Sequence, residues 1–195
     1  YEIDRSLVCS EMCIRDRHIC EVTHGLIKED KLKFDKSQND DMVLTYHDSC
    51  NVARASRMGD KAGGQFEIPR NIIKAVCNNY HDMSKDTIKE GTYCCGGGGG
   101  LLTDDLMELR VKGALPRMEA LRRVVEDHGV THMAAICAIC KSQFSKVFPY
   151  YDFTMDQIVS VHQLVSNAII LTGQHDENDE NDGENHPQQD IDEAA

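Results

Sequence analysis

The 195 residues of this chain suffice for one domain with its own hydrophobic core, since 41% of them are hydrophobic. Nine of the acidic residues behind the net charge of −12 lie beyond Gln174, where no Lys or Arg occurs, so the first 174 residues carry only −3. This balance argues against nucleic-acid binding, and no apolar run is long enough to cross a membrane directly.

The first seventeen residues resemble a sequencing remnant rather than a folded segment. Residues 6–17 are similar to the translation of a transposase adapter used in sequencing libraries, and the chain begins at Tyr1. We therefore set residues 1–17 aside as an artefact and expect the natural protein to continue upstream. The alternative is a separate metal site at Cys9, Cys13 and Cys20, although their spacing matches no usual ligand pattern.

A strand and several helical segments are predicted up to residue 77. Residues 18–30 predict a short amphipathic helix, and residues 42–46 form an apolar, β-branched run that is typical of a buried strand. This strand leads directly to Cys50, and residues 52–58 are compatible with a helix. Pro69 suits the first turn of a further helix.

An adjacent pair, Cys94 and Cys95, is the centre of the next segment, and five consecutive glycines follow it. Residues 87–93 predict a weak strand that ends at this pair. Thr103 is a candidate N-cap of a helix, and Pro116 is expected to open a second helical segment.

A third strand is predicted over residues 130–136, where a nearly unbroken apolar run leads to Cys137. Gly129 is expected to end the helix before it. Helices are expected from Lys141 and from Asp156. Beyond Gly173 the composition becomes too polar to form a core, so we predict a disordered acidic tail over residues 173–195.

The order strand, cysteine, helix thus occurs three times. It predicts an α/β fold with a mostly parallel sheet and flanking helices, in which the carboxyl ends of the strands lie along one edge. We therefore expect the thiols of Cys50, Cys94, Cys95, Cys137 and Cys140 to meet at that edge. Helix N-termini at the same place would stabilise thiolates.

Converging thiols favour a metal or redox centre in a reducing compartment over a secreted disulfide scaffold, since the nine cysteines come without a signal-peptide pattern. Zinc and cubane clusters each take four protein ligands, so a fifth thiolate points to a larger or bridged centre. The glycine run suits a close approach of the backbone to inorganic sulfide. For Cys94 and Cys95 alone, the alternative is a structural pair with one buried and one exposed thiol.

Longer motifs then carry a resemblance. The order Cys50, Cys94-Cys95-Gly96 and Cys137-x-x-Cys140 resembles the cysteine-rich CCG domain of heterodisulfide reductase catalytic subunits, with somewhat longer gaps. Residues 46–56, 108–118 and 131–141 are similar to the K subunits of the Dsr membrane complex that accompanies dissimilatory sulfite reductase. The resemblance covers residues 18–172 and does not extend to the acidic tail.

The resemblance implies an iron–sulfur oxidoreductase that acts on sulfur groups. The five cysteines would hold a noncubane [4Fe–4S] cluster, with Gly96, Gly97 and Gly98 beside it. This cluster would cleave an S–S bond, thought to be a trisulfide, on a small sulfur-carrier protein. Electrons would come from a membrane haem subunit through cubane clusters in a part of the family's subunit that this chain lacks. The protein would be cytoplasmic and attached to the inner membrane through its complex.

His47, just before the first of these cysteines, is the one further candidate catalytic residue. It would either donate a hydrogen bond to cluster sulfur or a proton to a leaving thiolate, or else simply cap the loop. Arg54, Arg57 and Lys141 are either solvated surface or a counter-charge for the cluster.

Cys77, His132 and Tyr93 are expected to be core residues. Two classes of function stay open: an enzyme that reduces disulfides or trisulfides, and a non-catalytic electron relay or structural metal module. A catalytic cluster needs an open approach for substrate sulfur, whereas a structural site is closed.

Overall fold

The computed structural model describes residues 17–55, 64–100 and 102–171. The predictions for residues 1–16 and for the acidic tail lie outside these described residues. The helices are α1 (Ile19–Lys28), α2 (Gly64–Val76), α3 (Met107–His128), α4 (Ala138–Val147) and α5 (Val161–Ala168), and the strands are β1 (Leu44–Tyr46), β2 (His132–Ala135) and β3 (Ile158–Ser160).

The strands form one parallel sheet in the order β1-β2-β3. Leu44 of β1 pairs with His132 of β2, and Met133 of β2 pairs with Ile158 of β3. α4 lies in the connection between β2 and β3, as a parallel pair requires. The predicted α/β class with a parallel sheet and flanking helices is therefore confirmed.

Side chains of the central strand alternate between two hydrophobic clusters. Met133 and Ala135 pack in a cluster with residues of α3 and α4, whereas Ala134 packs with residues of α1, α2 and α5. Ile158 and Val159 of β3 divide in the same way. Because successive side chains of a strand point to opposite faces, the clusters cover the two faces of the sheet. We call them the α3–α4 face and the α1–α2–α5 face.

The start of α1 and the end of α3 follow the capping rules. At α1 the His18 ring accepts a hydrogen bond from the Cys20 N–H (3.2 Å), and the Glu21 carboxylate accepts one from the His18 N–H (2.8 Å). Gly129, in the left-handed conformation with φ of 66°, ends α3 as predicted.

The predicted strand over residues 87–93 is wrong. This segment forms two 3-10 turns, Lys85–Thr87 and Lys89–Gly91, and Tyr93 is 37% exposed rather than part of the core. Its polar groups bond to Asp48 instead of to a neighbouring strand. The Lys89 N–H donates to the Asp48 carboxylate (2.8 Å), and the Thr92 hydroxyl donates to the Asp48 carbonyl (3.0 Å).

Pro116 does not open a helix, because it lies inside α3. An interior proline costs about 3 kcal/mol in an isolated helix. The turns on either side of it bury Ala114, Arg117 and Met118, and this tertiary packing keeps α3 continuous.

The helix expected from Asp156 begins only at Val161, because residues 158–160 form β3 instead. The two apolar side chains Ile158 and Val159 pack on opposite faces of the sheet, a division that a strand provides and a helix does not. His132 is half-buried, and its ring lies 2.9 Å from the Thr131 hydroxyl.

Candidate metal centre

The carboxyl ends of β1 and β2 meet at one edge of the sheet. β1 continues through Ser49 into a π-helical turn (Cys50–Arg54), and β2 continues into Cys137, which is the N-cap of α4. The Ser49 hydroxyl oxygen lies 3.9 Å from the sulfur of Cys140, in the first turn of α4. Two of the three predicted strand–cysteine–helix units therefore lead to the same place, as parallel neighbours should.

Four thiols form a continuous chain of contacts at this edge. Cys94 contacts Cys95, Cys95 contacts Cys140, and Cys140 contacts Cys137. We call these four residues the thiol cluster. Three of them are buried and Cys94 is exposed, so the adjacent pair consists of one exposed thiol, Cys94, and one buried thiol, Cys95. The pair reaches the edge from 3-10 turns and not from a strand.

Cys50, the fifth predicted ligand, lies beside the thiol cluster without joining its chain of contacts. It is half-buried and begins the π-helical turn directly after Ser49. No thiol–thiol contact of Cys50 occurs within residues 17–55, 64–100 and 102–171. The structure thus brings together four of the five predicted ligands, and the fifth directly follows Ser49, whose hydroxyl lies 3.9 Å from the Cys140 sulfur.

Protons are unevenly shared within the thiol cluster. The pKa of Cys137 is lowered to about 5, first because the Cys140 thiol donates to it and then because backbone N–H groups at the start of α4 attract its thiolate. Donation from Cys140 also lowers the pKa of Cys95, and it raises the pKa of Cys140 itself. The pKa of Cys94 is raised because its thiol donates to Cys95. Cys95 and Cys137 thus favour the thiolate, the form that binds metals.

At Gly96 the backbone approaches α3 closely. Its φ is 87°, and a Cβ there would lie 2.3 Å from the carbonyl oxygen of Arg110, so only glycine fits. Its N–H donates to the Cys94 sulfur at 3.3 Å. This glycine therefore holds the cysteine pair against α3 and also supplies an N–H donor to sulfur.

The other glycines of the run differ from one another. A Cβ at Gly97 would lie 3.3 Å from the Cys95 sulfur, whereas one at Gly99 or Gly100 would meet nothing within 4 Å. Gly98 is exposed, with φ of 51°. A cofactor-lining role of Gly96, Gly97 and Gly98 stays a prediction.

The ring of His47 is buried without a hydrogen-bond partner in the part of the chain that the structure describes. It is 1% exposed, and neither ring nitrogen is bonded, so it does not cap the loop. Its ring packs edge-on against Phe144 at a centroid distance of 4.9 Å. Burial, and then the charge of Arg117, lowers its pKa to about 3, so the ring is neutral at physiological pH. Buried polar groups are rarely left unbonded.

Buried arginines surround the site, and sequence reasoning missed them. Arg110 and Arg117 lie on one face of α3 with Ala114 between them, and both are buried. Arg110 donates to the Gln143 amide oxygen (2.8 Å) and to the Leu102 carbonyl (3.1 Å). The spacing of four and then three residues is the signal that could have revealed this face, because such residues are neighbours on a helix.

Arg70 of α2 reaches the same segments from the α1–α2–α5 face. Its guanidinium donates to both carboxylate oxygens of Asp48 (2.6 and 2.7 Å) and to Asp82 (2.9 Å). Asp48 in turn binds the turn before the cysteine pair, through Lys89 and Thr92. The segment that carries Cys94 and Cys95 is therefore fixed by a buried ion pair rather than by a strand ladder.

The donor set fits an iron–sulfur cluster. Thiolates are the ligands that such clusters take, two of the clustered thiols favour that form, and Gly96 and His47 offer N–H groups near sulfur. In residues 17–55, 64–100 and 102–171, no three His, Cys, Asp or Glu side chains are arranged around one metal-ion position. A cubane takes one thiolate per iron, so its ligands do not need to share a single ion.

Comparison with known proteins gives relatives over most of the chain. Over 155 residues, 80% of this chain, it is 43% identical to the Hdr-like menaquinol oxidoreductase iron-sulfur subunit 2 of Archaeoglobus fulgidus and 44% identical to the corresponding iron-sulfur subunit of Archaeoglobus profundus. Over 130 residues, 64% of this chain, it is 33% identical to a subunit of the dihydromethanophenazine:CoB–CoM heterodisulfide reductase of Methanosarcina acetivorans. The chain is a relative of heterodisulfide reductase-like iron–sulfur oxidoreductase subunits.

The heterodisulfide reductase-like prediction is thereby supported, while the narrower likeness to Dsr K subunits stays a prediction. The chain spans only about a quarter of these relatives, 26% of the Archaeoglobus subunits and 27% of the Methanosarcina subunit. No family model and no solved structure matches it. Among the described residues, no helix has both the length and the hydrophobicity to cross a bilayer.

Proposed function

We propose that this heterodisulfide reductase-like chain holds an iron–sulfur cluster through Cys50, Cys94, Cys95, Cys137 and Cys140. The observation that carries the proposal is the thiol cluster, in which residues from distant segments meet at one edge of a parallel sheet. The likeness to iron–sulfur subunits over 80% of the chain supports it independently. Five thiolates exceed the four that a cubane takes, so we propose a noncubane [4Fe–4S] cluster.

The proposed reaction is the reductive cleavage of a disulfide or trisulfide on a small sulfur-carrier protein, as the resemblance to Dsr K subunits implies. Two electrons and two protons convert one S–S bond into two sulfhydryl groups. When bound, the cluster would supply electrons one at a time. A quinol, through a membrane haem subunit and other subunits of a complex, is the proposed electron source. This would place the protein on the cytoplasmic side of the inner membrane.

The chain's own residues would bind and orient the reacting sulfur. Cys94 and the glycines from Gly98 to Gly100 are exposed, so a protein-borne sulfur can reach the site from this side. His47 is neutral and keeps one N–H unpaired, and it interacts electrostatically with Cys95. We propose that this N–H donates to sulfur at the site and holds its negative charge.

The second candidate is an electron relay without S–S cleavage. The names of the two Archaeoglobus relatives and of the EtfAB:quinone oxidoreductase of Syntrophomonas wolfei specify quinones, and that last protein is 37% identical over 83 residues. These names favour electron transfer linked to quinones. The Methanosarcina relative is named for a heterodisulfide, which favours S–S chemistry.

Anaerobic reconstitution of the full chain with ferrous iron and sulfide tests the cluster. We expect bound iron together with acid-labile sulfide, and an electron paramagnetic resonance signal that changes when a carrier thiol is added. Stoichiometric zinc without labile sulfide would overturn the proposal. A cluster whose electron paramagnetic resonance signal does not change on addition of the thiol would favour the electron-relay function.

A side chain at the exposed end of the glycine run tests the approach of substrate. Gly99 has φ of 77° and open space around it, and Asn tolerates this conformation, so Gly99→Asn should load iron normally. It should slow the reduction of a small protein that carries a cysteine trisulfide. Gly129→Asn is the matched control, because Gly129 has a similar φ and equally open space at the end of α3. Equal rates for both variants would place the approach elsewhere.

A further inference from the structure

Arg117 carries a buried charge whose hydrogen-bond partners are all neutral. Its side chain is 0% exposed. It donates to the Thr87 carbonyl (2.5 Å), to the Thr92 hydroxyl (2.9 Å) and to the Met83 sulfur (2.6 Å). Its Nε has no partner among the described residues. Burial lowers its pKa to about 10, so the guanidinium remains charged at neutral pH.

A comparison with Arg70 shows that Arg117 lacks a carboxylate partner among the described residues. Arg70 is equally buried, but two carboxylates neutralise it, those of Asp48 and Asp82. In the described part of the chain no carboxylate lies within ion-pair distance of Arg117. Asp48 attracts Arg117 at longer range, but its carboxylate is already bonded to Arg70. A buried charge without an oppositely charged partner is strongly unfavourable, so an anion is expected next to Arg117.

The contacts of Arg117 lead directly to the thiol cluster. Thr92, which accepts its hydrogen bond, lies two residues before Cys94. The same hydroxyl donates to the carbonyl of Asp48, which precedes Ser49, and the Ser49 hydroxyl lies 3.9 Å from the Cys140 sulfur. Arg117 is therefore one hydrogen bond from the segment that presents Cys94 and Cys95 and two from the segment that leads to Cys50, and it interacts electrostatically with Cys140.

We propose that Arg117 is the internal counter-charge of the iron–sulfur centre, a positioning residue whose unpaired guanidinium favours the reduced form of that centre. The inference rests on the proposed function. Thiolates and inorganic sulfide make the centre negative, and each electron adds a further negative charge. A fixed cation in a buried, low-dielectric site stabilises the more negative state more strongly, so it raises the reduction potential.

Redox titration of the loaded full chain, followed by electron paramagnetic resonance, tests this role. Arg117→Met and Arg117→Gln remove the charge, whereas Arg117→Lys keeps it. At the wild-type midpoint potential, we expect the ratio of reduced to oxidised centre to fall by about tenfold or more in the Met and Gln variants. The Lys variant should stay close to the wild type.

Lys112→Met is the matched control, since it removes the same charge from the solvent-exposed side of α3. Its potential should equal that of the wild type, because water and salt screen an exposed charge. A second measurement is the rise in melting temperature when the centre is loaded. This rise should be smaller in Arg117→Met than in the wild type or in Arg117→Lys.

The outcomes separate the two proposals. If the wild type takes up no iron and labile sulfide, the proposed function fails and the inference fails with it. If the wild type loads and the Met and Gln variants keep its potential, only the inference is overturned. Folded Met and Gln variants that cannot load, beside a Lys variant that can, would support the counter-charge. Failure of all three folded variants to load would show that the hydrogen bonds of the guanidinium matter, and not its charge.

Discussion

The two faces of the sheet hold cysteines of equal burial and opposite chemistry. Cys95 on the α3–α4 face and Cys77 on the α1–α2–α5 face are both 3% exposed. Burial raises the pKa of Cys77 to about 12, and the pKa of Cys20 on the same face is raised equally far. The pKa of Cys95 is instead lowered.

The difference lies in the hydrogen-bond donors around each sulfur. Cys20 and Cys77 pack among apolar side chains such as Val76 and Leu164, where the cost of burying a thiolate outweighs any stabilisation of it. The Cys95 sulfur accepts hydrogen bonds from the Cys140 thiol and from the Gly97 N–H. Burial by itself therefore makes a cysteine inert, and preorganised donors let an equally buried one favour the thiolate, the form that can bind a metal.

Replacing one cysteine on each face should give the largest contrast. Cys140 joins Cys95 to Cys137, so Cys140→Ser should abolish nearly all iron and labile-sulfide binding. Cys77→Ser should keep full binding and lose about 1–2 kcal/mol of unfolding free energy, because it buries a hydroxyl in an apolar cluster. Metal analysis and urea unfolding measure both effects. Equal loss of iron in the two variants would contradict the division between the faces.

Asp48 links the two faces, and its removal should weaken both. It binds Arg70 of the α1–α2–α5 face, and Thr92 bridges its carbonyl to Arg117 of the α3–α4 face. Asp48→Asn leaves a buried charge partly unpaired and should lower the unfolding free energy by about 3 kcal/mol. Asp82→Asn, at a partly exposed partner of Arg70, should cost about 1 kcal/mol or less. Similar losses in urea unfolding would show that Asp48 is no special link.

Acid should destabilise the α3–α4 face more than the other. The pKa of His47 is about 3 in the folded protein, against an ordinary value of 6.5. Between these two pH values, His47 is therefore protonated in the unfolded chain and neutral in the folded one. The unfolding free energy of the metal-free protein should therefore fall as pH drops from 6.5 towards 3, by about 1.4 kcal/mol per pH unit from this group. His47→Phe should remove that slope.

His162 provides the comparison on the α1–α2–α5 face. Its pKa is lowered by burial as well, but its side chain is only half-buried and lies 3.3 Å from the Thr23 hydroxyl. His162→Gln should change the pH dependence less than His47→Phe does. A larger change for His162→Gln would contradict the conclusion that the unpaired, neutral histidine is the one on the α3–α4 face.

The smallest expected effect is a difference in the alkylation rates of cysteines on the two faces. In the metal-free native protein at pH 7, iodoacetamide should label Cys95 and Cys137 at least about tenfold faster than Cys20 and Cys77, because the thiolate is the reactive form. Peptide mass spectrometry measures the rates. In urea all sites should react alike, which serves as the control. Uniform labelling of the native protein would mean that the environments do not differ.

Much of the site was determined by the order of elements in the sequence. Two buried apolar runs, each followed by a cysteine, predict parallel strands that present sulfur at one edge, and β1 and β2 do so. Such predictions hold because a buried strand needs continuous apolar residues and because parallel strands end on the same side. The excess of negative charge beyond Gln174 could likewise be counted directly.

Only the tertiary structure decided how the remaining parts meet. The segment before Cys94 contains strand-forming residues. Its polar groups nevertheless form hydrogen bonds with Asp48 and with the buried Arg117, and these bonds hold the segment in turns. Gly96 is required because the backbone of α3 touches it, in addition to its own positive φ. Likewise, the charge of Arg117 is indistinguishable in sequence from that of Lys112. One is buried and the other solvated because packing against other elements, which no local pattern encodes, selects the face of α3 that turns inward.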